Sequence, residues 1–316
     1  MTTQGIYQSA IAQGIKADLR GEDYVRRHLA KSLKKYEEMS EKEKKSFDNE
    51  SLENPYSDSR VLCTSGDKVI KKIIAGIDIE GSELLYAKQR GDIDLVIAHH
   101  PEGEALADLS TVMHLQAQVL AQYGVPINIA ESLIQPRISE VTRGVSPINH
   151  QRSVDLARLL GLDFMCLHTP ADNLSAQFII NALAQEGDKL ETVGELVDFL
   201  KTIPEYAAAE ALKAGPKIFA GAPERSLGKV VVTEFTGGTS GSKDIYEKMA
   251  QYGIGTVIGM HMGEEHRKEA EKYHINVIIA GHMSSDSLGM NLILDEIEKQ
   301  GVEIITLSGL IRIKRF

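Results

Sequence analysis

The 316-residue chain contains no tryptophan and only two cysteines, Cys63 and Cys166. They stand about a hundred residues apart and form no CxxC pair, which excludes a disulfide scaffold or a thiolate zinc site. They read as buried free thiols in a reducing compartment. Any metal site must therefore be built from histidine and carboxylate. No window reaches the roughly 18 apolar residues needed to span a bilayer. The first residues, MTTQGIYQSAIAQGIKADLRG, lack the basic-then-apolar order of a secretory leader. The expectation is a cytoplasmic protein without a membrane partner. An excess of basic residues is also missing: 35 Lys and Arg face 45 Asp and Glu, for a formal charge of -10. General binding to nucleic acid needs a basic stripe to displace counterions, so such a partner is not expected.

What remains is a chain long enough to bury a substantial core, with 42% hydrophobic and 25% charged residues. Residues 22 to 48 are dense in charge and helix formers, with Val25, Leu29 and Leu33 at helical spacing. The turn-forming segment NESLENPYSDS follows as a linker. Residues 1–60 are thus expected to form a helical extension, packed on the main body or on a neighbouring subunit.

From about residue 69 the pattern turns to α/β. KKIIAGIDI and DLVIAHH suit buried parallel strands, with SELLYAKQRG as the crossover helix between them. LSTVMHLQAQVLAQYG reads as a helix, VPINIAES as a strand, SVDLARLLG as a helix and DFMCLHTPAD as a strand entering a loop. TVGELVDFLKTIPEYAAAEALKAG reads as mainly helical. The pattern then restarts at KVVVTEF, SKDIYEKMAQYG and GTVIGMH, and INVIIAGH closes the series. Apolar strands in both halves stop at histidine. The expectation is an α/β body of two similar lobes, about 61–185 and 226–316, with mixed sheets facing each other. Ligands in such sheets sit at the carboxyl ends of strands.

Three of these ends carry metal-competent side chains. In His99-His100-Pro101 the strand stops, so neighbouring imidazoles are freed from pointing to opposite faces. The alternative is a polar strand end with satisfied imidazoles. In His168-Thr169-Pro170-Ala171-Asp172-Asn173, Asp172 is suited to bridging two cations, or to capping a turn. His168 is either a ligand or a hydrogen-bond partner that orients one. In Gly281-His282-Met283-Ser284-Ser285-Asp286, residues 282 and 286 share a face if a helix starts there. Asp286 could otherwise cap that helix. Glu102 and Glu104, just after HHP, are further carboxylates near the site.

The segments DLVIAHHP, LHTPADN and AGHMSSD resemble, in order, the motifs of the Nif-three-like family, often described as GTP cyclohydrolase I type 2-like. The resemblance runs from about residue 70 to the C-terminus. It implies a dinuclear metal centre on His99, His100, Asp172, His282 and Asp286, and ring-like homo-oligomers, often hexamers. The late carboxylate is usually glutamate in the family and is Asp286 here, and the charged N-terminal helix has no recognised counterpart. His266 matches a further family position and is either a candidate proton-transfer or substrate-contact residue or a solvated helix histidine. The loop FTGGTSGSK, residues 235–243, could present backbone N–H groups to an anion, but it lacks the GK[ST] ending of a P-loop.

This ligand set suits two divalent ions of zinc, iron, manganese, cobalt or nickel. Two functions follow. One is hydrolysis of an unknown small molecule by metal-bound hydroxide, of cyclohydrolase or phosphoester type. The other is a metal-binding protein for regulation, storage or insertion that has no substrate of its own.

Overall fold

The computed structural model describes residues 1–316, the side chain of Asp188 excepted. Two mixed sheets form two similar α/β lobes. The first holds β1 (Arg60–Cys63), β2 (Lys72–Gly76), β3 (Leu95–Ala98) and β4 (Asp163–Cys166). The second holds β5 (Lys217–Ala220), β6 (Lys229–Val232), β7 (Ile254–Gly259) and β8 (Asn276–Ile279). A last strand, β9 (Glu303–Leu307), returns to the first sheet. The strand orders are β1-β4-β3-β2-β9 and β5-β8-β7-β6. In each sheet the earliest strand is the antiparallel edge and the remaining pairings are parallel. β3, β4 and β8 are buried along their whole length. That burial is why they read as unbroken apolar runs rather than alternating ones.

Two helices, Thr169–Glu186 and His282–Glu298, lie between the sheets. Ala171, Met290, Ile293 and Leu294 pack with Ile73, Leu95 and Ile97 of the first sheet. Ala176, Ile179 and Leu288 pack with Val232, Ile258 and Ile278 of the second. At Gly289 the helices come into backbone contact: a Cβ there would sit 2.0 Å from the Ala171 carbonyl oxygen. On its other side the helix Thr169–Glu186 meets the helix Thr3–Ala17, where a Cβ on Gly14 would lie 2.7 Å from Pro170 Cα.

The N-terminal extension is helical, as the sequence suggests, and it packs on the body. Ile6, Tyr7, Ala10, Ile11 and Ile15 are buried at helical spacing. The next helix, Glu22–Glu38, buries only Val25. Two expectations fail. After β4, TPAD opens the helix Thr169–Glu186 instead of forming a loop, with Pro170 in its first turn. VPINIAES opens a helix, Ile127–Val145, instead of forming a strand. Ala130, Ile134, Ile138 and Val141 supply its buried stripe, and Pro126 precedes it. Among the described residues, no helix is long and apolar enough to cross a membrane.

The Gly289 contact predicts a directional result. Gly289→Ala should destabilise the fold by about 1–3 kcal/mol or more, because overpacking at a backbone contact cannot be relieved by a rotamer. Gly144, with nothing within 4 Å of a Cβ, is the control. Gly144→Ala should be neutral or stabilise by up to about 1 kcal/mol. Thermal melting of both variants checks the pair, and an unchanged midpoint for Gly289→Ala would refute the close-contact account.

Candidate metal centre

His99 and His100 follow β3, held by hydrogen bonds from their backbone N–H groups to the Gly76 and Ile77 carbonyls at 2.9 and 3.0 Å. Asp172 lies in the first turn of the helix Thr169–Glu186, and His282 and Asp286 lie in the first turns of the helix His282–Glu298. Three elements distant in sequence thus converge. Among the described residues, three groups could hold a metal ion: His99, Asp172 and Asp286; His100, His282 and Asp286; and His99, His100 and His168.

The distances have a consistent pattern. His99 Nε2 is 3.5 Å from Asp172 Oδ1 and 3.5 Å from Asp286 Oδ1. The Nε2 atoms of His100 and His282 are each 3.5 Å from Asp286 Oδ2. These separations are too long for strong hydrogen bonds. They match the edge of about 3.4 Å between ligands that hold one tetrahedral ion with arms of about 2.1 Å. Asp286 turns Oδ1 toward His99 and Oδ2 toward His100 and His282. Asp172 likewise lies between two imidazoles, His99 and His168, whose Nε2 is 3.8 Å from its Oδ2.

Partners outside the cluster fix the imidazoles. The Nδ1–H of His99 donates to the Leu167 carbonyl at 3.1 Å, that of His100 to Asp78 at 2.6 Å, and that of His168 to Asp58 at 2.8 Å. Carbonyl and carboxylate oxygens only accept, so each ring carries its proton on Nδ1 and turns Nε2 inward. His99 Nε2, Asp172 Oδ1 and both Asp286 oxygens are buried without a hydrogen-bond partner. Leaving one such group unsatisfied costs about 1–3 kcal/mol. Four in one place mark a site built for a ligand of opposite charge, and the buried His/Asp groups could hold a metal ion.

The site's charges are strongly coupled. Burial lowers His99 to about 4. Burial alone would also lower His100, but the Asp286 and Asp78 carboxylates beside it outweigh that and raise the ring to about 9. Burial and the neighbouring Asp286 and Asp58 carboxylates push Asp172 well above the usual carboxylate range. Burial would raise Asp286 too, yet His99 and His100 hold it below that range.

The other sequence candidates fall elsewhere. Glu102 and Glu104 join none of the three groups, and Glu104 is exposed. His266 bonds the Gly241 carbonyl at 3.1 Å and lines a separate, open cavity with Arg137, Arg143 and Lys243. The loop 235–243 forms a wall of a small cavity of about 20 Å³ in front of the cluster. His261 and Glu234 line that cavity as well, and sequence reasoning did not assign them to the site. His261 had a visible signal, since GTVIGMH ends at it just as DLVIAHH ends at His100. Asp58, Asp78 and Glu234 had none.

The fold and this cluster define an α/β protein with a buried His/Asp site at its strand ends. Among solved structures, the chain is similar to a NIF3 superfamily protein from Sphaerobacter thermophilus. The two are 32% identical over 80% of this chain and 92% of that one, with a TM-score of 0.73. More distant likenesses include reduced HcgD from Methanocaldococcus jannaschii, at 16% identity over 78% and 87% of the chains with a TM-score of 0.46. A Thermus thermophilus protein, TTHA1606, matches at 15% identity over 80% and 90%, with a TM-score of 0.47. No family model matches the chain, and no curated protein does. On the first of these likenesses, the chain belongs to the NIF3 superfamily.

Two outcomes follow from the protonation pattern. Ion-free His100 holds its proton up to about pH 9, and a bound cation needs that lone pair. Cation uptake near pH 7 should therefore release a proton, and the apparent affinity should rise with pH by about tenfold per unit for each proton released. Calorimetry in buffers of different ionisation enthalpy reads this directly, and buffer-independent heats would contradict it. Asp58→Ala, which removes the acceptor shared by His168 Nδ1 and Thr169 Oγ1 beside Asp172, should weaken cation binding by about 10-fold, read from the same titrations.

Proposed function

We propose that the chain holds two divalent cations on His99, His100, Asp172, His282 and Asp286 and uses them for hydrolysis of a small molecule. The observation that supports this reading is the set of four buried, unpartnered polar atoms on His99, Asp172 and Asp286. The donor chemistry suits zinc, iron, manganese, cobalt or nickel. Bound there, such a pair supplies Lewis-acid polarisation and acidifies water.

The chain's own residues provide the rest. Leu167 and Asp78 hold the tautomers that turn the His99 and His100 Nε2 atoms inward. Asp286 serves both sides, Asp172 closes the His99 side, and half-exposed His282 borders the cavity where a substrate would enter. His266 is proposed as a contact for substrates long enough to reach its neighbouring cavity. A homo-oligomer, hexameric by family resemblance, and a cytoplasmic location belong to the same proposal. Leu85, Tyr86 and Leu159, at 49%, 44% and 85% exposure, are apolar side chains that a neighbouring copy would cover.

Elemental analysis of protein purified without chelator should find about two ions per chain. His99→Ala should lower that content and abolish turnover of whichever phosphoester, nucleotide or cyclic amide the wild type cleaves. Removing the cations should lower the melting temperature, since a ligand at about a hundred times its Kd stabilises by about 2.7 kcal/mol. Protein that takes up no divalent ion even after reconstitution would refute the metal reading. Metal-loaded protein that cleaves no substrate of any class would refute the hydrolytic one.

A further inference from the structure

Asp172 has little of its own to aim it, since its buried Oδ1 has no hydrogen-bond partner. Its direction is therefore set by the helix turn that carries it. The N-terminal extension grips that turn on both sides of Asp172. Ser59 Oγ accepts the His168 N–H at 2.9 Å, and Asp58 accepts the Thr169 hydroxyl at 2.7 Å and the His168 ring at 2.8 Å. Pro170 rests on Gly14, where a Cβ would lie 2.7 Å from the proline Cα. Asn173, fully buried, donates to the Gly14 carbonyl at 3.2 Å and to Tyr56 Oη at 3.1 Å.

The last of these contacts belongs to a longer line. Tyr56, also fully buried, donates to Asp18 Oδ2 at 2.9 Å, and Arg20 pairs with the same oxygen at 2.8 Å. A carboxylate only accepts, so the phenol proton points to Asp18 and the phenol oxygen is left to accept from Asn173. The Asn173 amide is thereby oriented, and its Oδ1 accepts the Thr236 hydroxyl at 2.5 Å. Thr236 belongs to the loop 235–243 that walls the cavity. Asn54 pins the segment from which Tyr56 projects, donating to the Tyr56 and Ser59 carbonyls at 2.8 and 2.9 Å. Buried hydrogen bonds thus run from the first helix, Thr3–Ala17, and the chain leaving it, through the helix carrying Asp172, to the loop. A network of this kind specifies one arrangement when every member is satisfied and loses it when one is not.

We infer that the N-terminal extension is a component of the metal centre, with Tyr56 and Asn173 as positioning residues that keep Asp172 aimed at the cluster and the loop 235–243 closed beside it. This rests on the reading of the cluster as a metal centre. It gives residues 1–60 a role that packing on the body alone would not require. Tyr56 touches no ligand of the centre and acts on Asp172 through Asn173, the next residue in the chain.

Cobalt(II) is a suitable probe, because its uptake reports affinity and its visible spectrum reports ligand geometry. Tyr56→Phe keeps the buried ring and removes only the hydroxyl that joins Asp18 to Asn173. It should bind Co2+ about tenfold more weakly than wild type and shift the visible bands of the loaded protein. Thr256→Val is the control. It removes a buried hydroxyl that donates to the Leu227 carbonyl at 2.6 Å, near the amino ends of β7 and β8 and away from the cluster. It should lower the melting temperature and leave both cobalt readouts unchanged. Thr236→Val opens the network at the loop. Its effect on affinity should be less than additive with that of Tyr56→Phe, as for two members of one network. Wild-type affinity and spectrum in Tyr56→Phe, an equal loss in Thr256→Val, or strictly additive effects would overturn the inference. If Tyr56→Phe does not fold, Thr236→Val alone carries the test, with the same direction expected. A wild type that takes up no cobalt sinks the metal reading and this inference together. A wild type that binds cobalt beside an unaffected Tyr56→Phe sinks only the role of the extension.

Discussion

The carboxylate of Asp286 is fully buried, faces three imidazoles and has no hydrogen-bond partner of its own. An arrangement of this kind is costly, so the surrounding structure has to impose it. The helix carrying Asp286 is pressed against the helix carrying Asp172 at Gly289, close enough to exclude even a methyl group. Both helices are clamped between two sheets whose strands are almost wholly apolar. The histidines come from the end of β3, where hydrogen bonds to the chain leaving β2 fix their position. Sheet, helix contact and cluster are thus linked: loosening one would let the buried carboxylates relax toward solvent.

Tautomer control is the second layer of this design. Three histidines are each held through Nδ1 by an acceptor that cannot donate, and two of those acceptors, Asp58 and Asp78, are carboxylates from different parts of the chain. The inward nitrogens are therefore set before any ligand arrives. Such preorganisation confines the entropic cost of assembling the site to folding.

The sequence carried the strand ends and little of what surrounds them. HHP, the HT..D loop and the late histidine with Asp286 were legible because each closes an apolar run, a strong local signal. The order of helix and strand was also readable where period and length agreed. VPINIAES was misread because its β-branched residues and proline suit either state over so short a stretch. Only the longer stripe through Ile138 and Val141 decides for helix. Asp58 meets His168 across 110 residues of chain, and Glu234 closes its loop on the Gly241 N–H. Neither contact leaves a trace in local periodicity. The way Asp172 and Asp286 divide the imidazoles between them likewise depends on how two helices settle together.

The return of β9 to the first sheet has a mechanical consequence. The helix His282–Glu298 leaves the second sheet through β8 and is followed by a strand in the first, so it is tethered to both lobes. The separations of 3.5 Å around Asp286 therefore act as a gauge of lobe spacing. Any force that parts the sheets would be transmitted along this helix to the cluster.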